Sequence, residues 1–214
     1  MVTIDGPAGT GKSSVARTLA EQLGFAFLDT GAMYRAVAGV CLRDAVDPED
    51  KSAAEASARS IHYDAAAGVS DADGLDLRTT EVTRAASLVA RHPGVRETLI
   101  GWQRAFAGGR PTVTEGRDQG TVVFPDAPVK FYLDASAEER AARRVRELEE
   151  LGKAPSFSET LRQIRDRDDR DRNRPIAPLR PADDAVLVDT THMTIDEVVS
   201  RLEQTARQRL NAST

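Results

Sequence analysis

A single cysteine, Cys41, stands in a chain of 214 residues. That count excludes an internal disulfide and a cysteine metal cluster, and a reduced, cytoplasmic setting is expected. No apolar run reaches the ~18 residues a membrane-spanning helix requires. The chain enters Met1-Val-Thr-Ile-Asp-Gly6 directly, without a basic stretch followed by an apolar one, so no secretory signal is expected. Lysine is scarce as well. Only Lys12, Lys51, Lys130 and Lys153 occur, and the rest of the 29 basic residues are arginine. Arginine forks meet phosphate bidentately, whereas lysine is a mobile point charge. High genomic GC content would give the same bias, so position carries more than abundance. The net charge of −5 argues against general nucleic-acid binding. His62, His92 and His192 are scattered and unpaired in sequence, and core or surface roles are expected for them, as packing roles are for Tyr34 and Trp102.

What is present suits one compact α/β domain over residues 1–214. The hydrophobic fraction of 40% supplies a core. Val2–Asp5 reads as a short strand ending in a glycine-rich turn, and Lys12–Leu23 as a helix with Val15, Leu19 and Leu23 on one stripe. Gly24 is placed to stop that helix, Phe25–Leu28 reads as a second strand, and Gly31–Leu42 as a second helix. Further strands are expected at Pro111–Thr114, Val129–Leu133 and Ala185–Asp189, with helices at Ala137–Leu151 and Thr194–Leu210. Strands alternating with helices imply a parallel sheet covered on both faces. Two regions break the pattern. Residues 46–80 are acidic, alanine-rich and glycine-rich, with strand-like pieces at Ile61–Tyr63 and Leu75–Leu77, and read as an inserted subdomain. Leu151–Phe157 interrupts two charged helices and reads as a mobile lid.

The segment Gly6-Pro7-Ala8-Gly9-Thr10-Gly11-Lys12-Ser13 fits G-x-x-x-x-G-K-S/T at every fixed position, with a strand before it and a helix after. Its glycines let backbone N–H groups converge on phosphate oxygens, and the helix N-terminus adds a favourable dipole. Lys12 is expected to reach the β- and γ-phosphates and the Ser13 hydroxyl to ligate Mg²⁺. The loop points to phosphate binding without identifying an acceptor. None of the lysines lies in an Asn/Thr-Lys-x-Asp guanine-reading motif, which removes GTPase switches, and elements for a remodelling ATPase are missing from so short a chain. Small-molecule kinases remain, and they need an anion site opposite the loop.

Three segments offer one. In Leu28-Asp29-Thr30-Gly31-Ala32-Met33-Tyr34-Arg35 a helix opens at Thr30 and Gly31 with Arg35 one turn in, either a phosphate clamp or an N-cap with a solvated arginine. Thr114-Glu115-Gly116-Arg117-Asp118 lies just past a strand end, where parallel sheets place ligands, although a loop salt bridge would look the same. Arg167, Asp171 and Arg174 share one helical face of the charge run Asp166–Arg174, and Pro175 puts Arg174 at a helix-to-loop boundary. Asp166, Asp169 and Arg170 in the same run read as a solvated face.

Taken in order, GPAGTGKSS, LDTGAMYR, EGRDQGTVVFPDAPVKFYLDAS and RDRDDRDRNRPIAPL resemble the bacterial-type cytidylate kinases, with the likeness running from Val2 to near Arg207. The resemblance implies a P-loop three-layer sandwich with a parallel central sheet, an inserted nucleotide-binding subdomain and a lid. It implies transfer of a phosphoryl group from ATP to CMP or dCMP with Mg²⁺, in a cytoplasmic protein expected to be a monomer free of membrane and nucleic acid. By motif, Gly6 to Ser14 would hold ATP. Arg35, Arg117 and Arg174 would grip the acceptor phosphate, with Thr30 near it. Ser87, Arg96 and Asp118 would contact cytosine, and Asp171, held by Arg167, would receive the sugar hydroxyls. Arg143 and Arg144 at the lid base, with Lys12 and Arg117, would meet transition-state charge. Two positions depart from the family pattern: Thr30 where serine is usual, and Gln119 where GRDxGT is usually apolar, which puts fine acceptor selectivity in question. A kinase of the same fold acting on UMP, and a silent nucleotide-binding module, are the rival readings.

Overall fold

Short buried strands alternate with capped helices through most of the computed structural model, which describes residues 1–65 and 68–212. In chain order the elements begin β1 (Val2–Asp5), α1 (Lys12–Leu23), β2 (Ala26–Asp29), α2 (Thr30–Arg43), α3 (Lys51–Ser60), β3 (Tyr63–Asp64) and β4 (Gly68–Val69). They continue with α4 (Thr80–Val89), α5 (Pro93–Ala107), β5 (Thr112–Gly116), β6 (Val129–Asp134) and α6 (Ala137–Glu150). The last are α7 (Phe157–Asn173), β7 (Val186–Asp189) and α8 (Ile195–Ala212). The chain divides into two compact units: Met1–Phe27 with Pro111–Thr214, and Leu28–Arg110.

The first unit carries the sheet, ordered β2-β5-β1-β6-β7. Its β1–β5, β1–β6 and β6–β7 pairs are parallel, with Ile4 opposite Glu115 and Phe131, and Asp5 opposite Gly116 and Tyr132. Val2, Ile4, Val113, Val129, Phe131 and Leu133 meet Val15 and Leu19 of α1 and Val198 and Leu202 of α8 in one core. Burying each such side chain contributes about 1.5–3 kcal/mol. The chain goes one way from β1 to β2 and the other way from β5 to β6, so the strand order switches beside β1, where open sheets of this kind place ligands at the carboxyl ends. Ser136 caps α6 and Ser156 caps α7, while Thr194 and Glu197 bond each other's backbone N–H at the start of α8. Between α6 and α7, Gly152 turns back onto the Glu149 carbonyl with φ +72°, and Leu151 stays 69% exposed. This is the segment read as a lid.

The second unit is helical. Met33, Val37 and Cys41 of α2 pack on Ala54 and Ala58 of α3, on Val82, Ala85 and Val89 of α4, and on Val95 and Leu99 of α5. Asp29, Asp50 and Thr79 cap α2, α3 and α4. The compact unit is wider than the 46–80 insert expected from composition, because α2, α4 and α5 share its core. The strand expected at Leu75–Leu77 is absent. Those leucines pack instead against the flank of α2, where a Cβ on Gly39 would lie 2.8 Å from Leu77 and 3.3 Å from Leu75. Among the described residues, no helix is long and apolar enough to cross a membrane.

Candidate active site

The loop after β1 has little room for anything but glycine at its entrance. A Cβ on Gly6 would sit 2.0 Å from the Leu133 carbonyl oxygen, and φ there is +146°. Gly11, at φ +83°, opens α1 with no side chain capping the helix, so its first N–H groups remain for a ligand, unlike those of α6 and α7. Lys12 folds back over the loop, donating to the Pro7 carbonyl at 2.6 Å and to Thr10 Oγ1 at 3.4 Å. Burial, with Arg117 second, pushes the Lys12 ammonium down to about 7. Its charge is therefore poorly supported until an anion arrives. Ser13 is exposed and donates to Glu115 Oε1 at 3.0 Å, while Ser14 is exposed on the same turn.

The end of β1 also organises the turn after β5. Asp5 accepts from the backbone N–H groups of Gln119 and Gly120, each at 2.8 Å. Burial nevertheless raises its carboxyl to about 7. That turn runs as a π-type helix over Gln119–Val123, and just before it stand Arg117 and Asp118. Arg117 donates through Nε to Asp171 at 2.8 Å and through Nη1 to the Gly116 carbonyl. Asp118 is buried and pairs at 3.5 Å with Arg174, which also donates through Nε to the Ala177 carbonyl. Burial works against the charge on Asp171, yet Arg117 and then Arg167 outweigh it and hold the carboxyl below its usual range. The charged face expected on α7 thus lies against the turn after β5. The structure gives Asp171 a bond to Arg117, whereas Arg167 acts on it through charge. Asp166, Asp169 and Arg170 are exposed.

Arg143 and Arg144 point elsewhere. Arg143 donates to the Thr190 carbonyl at 2.6 Å and to Glu139 at 3.1 Å; Arg144 donates to Glu147 at the surface. The α6 arginine that reaches the phosphate loop is Arg140, bonded to the Ala8 carbonyl and to Asp168. Arg140, Asp168 and Asp5 were all missed in sequence. Asp5 had a usable signal, a carboxylate closing a buried strand directly before Gly6.

In the second unit Thr30 is buried at the first position of α2. Asp29 accepts from the Ala32 N–H at 2.8 Å and pairs with Arg35 at 3.3 Å. Arg35 Nε is buried without an acceptor. Arg96 is 3% exposed and donates through Nη1 to the Tyr34 hydroxyl at 3.1 Å. Ser87 is half-buried on α4. Trp102 stacks on Tyr63, with centroids 4.9 Å apart.

An uncapped helix behind a glycine loop, at the switch point of a parallel sheet, defines a P-loop phosphate-binding protein. A shikimate kinase from Bacteroides thetaiotaomicron shares the fold with a TM-score of 0.51, covering 96% of this chain and 97% of its own, at 11% identity. The sequence pattern of the family described as cytidylate kinase matches residues 2–208, and the chain belongs to that family. It is 47% identical to a cytidylate kinase of Klebsiella pneumoniae and 46% identical to one of Vibrio parahaemolyticus, each over 98% of this chain and 96% of the relative.

Proposed function

We propose that the protein transfers the γ-phosphoryl group of ATP to CMP or dCMP, giving ADP and CDP or dCDP. A phosphate oxygen of the acceptor forms the new bond to γ-phosphorus as the bond to the β–γ bridging oxygen breaks, and the electron pair leaves on ADP. The acceptor is already anionic, so no general base is required; alignment and charge screening carry the rate. The observation that carries this reading is Lys12, buried and short of anionic support, beside the part-buried pair Arg117–Asp171 and the buried pair Asp118–Arg174.

On this reading the loop from Gly6 to Ser14 holds the ATP phosphates, and Lys12 moves from the Pro7 carbonyl onto them. Ser13 and Glu115 bring hard oxygen donors together, which suits Mg²⁺, an ion that keeps waters and takes few protein oxygens alongside phosphates. When bound, that ion neutralises charge on the β- and γ-phosphates. Arg35, Arg117 and Arg174, with Thr30, take the acceptor phosphate, Asp171 the sugar, and Ser87, Arg96 and Asp118 the base. A carboxylate at Asp118 accepts from the cytosine 4-amino group and repels the uracil 4-oxo group, so it discriminates. The net charge of −5 favours small substrates over nucleic acid, and we read the protein as a cytoplasmic monomer. The test is a coupled ADP-release assay across CMP, dCMP, UMP and AMP. A turnover preference for the cytosine nucleotides is expected; equal use of AMP would overturn the assignment.

A further inference from the structure

When the N–H groups of a loop converge on an anion, carbonyls of the same peptide units turn outward, and in a buried setting each needs a donor. The Pro7 carbonyl is served by Lys12 and Thr10. The Ala8 carbonyl is served by Arg140 Nη1 at 3.0 Å. Each nitrogen of that guanidinium makes at least one bond. Nη1 also meets Asp168 Oδ1 at 3.1 Å, Nη2 meets Asp168 Oδ2 at 2.6 Å, and Nε donates to the Ala135 carbonyl at 3.0 Å. The side chains of Arg140 and Asp168 are 2% and 4% exposed. Packing is as close as the bonding, for a Cβ on Gly9 would lie 3.2 Å from Arg140 Cβ.

We propose that Arg140, oriented by Asp168, is a positioning residue for the ATP phosphates: it holds the Ala8 carbonyl outward and so keeps the loop N–H groups turned to the ligand. The inference rests on the loop being the ATP site. A buried ion pair is weak grounds for stability, since an apolar pair of similar volume often serves as well. What an apolar pair cannot do is donate to a carbonyl. Lysine cannot replace the fork either, because its donors radiate from one point and cannot reach Ala8, Ala135 and both carboxylate oxygens together. Arg140 and Asp168 come from α6 and α7, which flank residues 151–156, so one pair ties the loop to both helices beside the segment read as a lid.

Two full-length variants test this. Arg140→Lys keeps the pair's charges but not the fork, and Arg140→Met with Asp168→Leu removes both charges so that neither is stranded. Thermal unfolding establishes folding, equilibrium titration with a non-hydrolysable ATP analogue reads donor affinity, and steady-state kinetics give KM for CMP. Affinity for the analogue should fall about tenfold or more in both variants, the effect of losing one charge-assisted hydrogen bond, with KM for CMP changing much less. The double variant should recover thermal stability without recovering analogue affinity. A folded variant that binds the analogue like wild type, or loses both substrates by one factor, overturns the proposal. Should the double variant fail to fold, Arg140→Lys decides alone. Wild-type protein that does not bind the analogue would instead overturn the ATP-site reading.

Discussion

Charged side chains are held differently in the two compact units. In the unit built on the sheet, Arg140 and Asp5 are closely tied: Arg140 makes bonds to Asp168, Ala8 and Ala135, and Asp5 accepts from two backbone N–H groups. In the helical unit Arg35 is sparsely tied. Arg35 has one carboxylate at 3.3 Å and a buried Nε without an acceptor. A saturated arginine serves the scaffold, because a new ligand must compete with bonds already made, whereas an unsaturated one still has donors to offer. The contrast separates groups that shape the site from groups that wait for substrate. Lys12 belongs to the second kind although it sits in the first unit, since it holds only loop oxygens and burial has pushed it down to about 7.

The largest expected effect tests that exception. Lys12→Ala should lower kcat by on the order of 10²-fold or more, about 3 kcal/mol of transition-state stabilisation, with the fold intact. Turnover near wild type in a folded variant would make Lys12 a scaffold residue and dissolve the distinction. Next is Asp118, buried against Arg174. Asp118→Asn keeps an oxygen for Arg174, but its amide can accept from cytosine or donate to uracil. The ratio of kcat/KM for CMP over UMP should fall roughly 10- to 100-fold, the worth of a charge-assisted hydrogen bond. An unmoved ratio would return Asp118 to a purely bracing role with Arg174.

For the helical unit, Arg35→Met should raise KM for CMP about tenfold while leaving KM for ATP near wild type. Equal changes in both would mean that Arg35 serves the scaffold through Asp29. A pH measurement sharpens the view of Lys12. Below pH 7 its ammonium is protonated with or without ligand, so affinity is flat there. Above pH 7 the free enzyme must take up a proton to bind phosphate, and affinity for an ATP analogue should fall by up to about tenfold per pH unit. Asp5, raised to about 7, gains its charge over the same range and, like Glu115, supports the Lys12 ammonium and tempers that fall, while Arg117 and Arg167 work against the ammonium. Titrations at pH 6.5 and 8.5 that agree would refute the depressed Lys12.

The phosphate loop was legible in sequence because its physics demands particular residues at fixed spacing. Gly6 has no room for a Cβ beside Leu133, and Gly11 takes a left-handed turn into α1. The Arg167–Asp171–Arg174 face was legible because helical period alone puts those residues together. Asp168 was not, since it lies inside the same charge run and its partner Arg140 is on another helix, so no local pattern pairs them. Leu75–Leu77 misled for a related reason. Alternating leucines suit a strand, but these are held by a notch at Gly39 that only the folded unit creates. Neither α4 nor α5 was assigned from sequence, which left the width of the second unit underestimated.

The smallest expected effect concerns Gln119, the polar residue where the family pattern is usually apolar. Its side chain is 1% exposed, and Oε1 accepts from Thr114 Oγ1 on β5 at 2.9 Å. Its backbone N–H is committed to Asp5. Both bonds face the sheet, and on that ground we expect Gln119 to act as a scaffold residue in the sense drawn above. Gln119→Met keeps the backbone bond and the approximate volume while leaving the buried Thr114 hydroxyl without its acceptor, a loss of about 1–3 kcal/mol. In a chain of this length each kcal/mol lowers Tm by about 2–4 °C. The CMP-to-UMP ratio should stay within about twofold of wild type, because side chains that never meet the base contribute nothing to the difference between two bases. Calorimetry beside the two-acceptor assay reads both quantities on one preparation. A ratio that moves while Tm holds would reverse the assignment and place Gln119 among the residues that choose the acceptor.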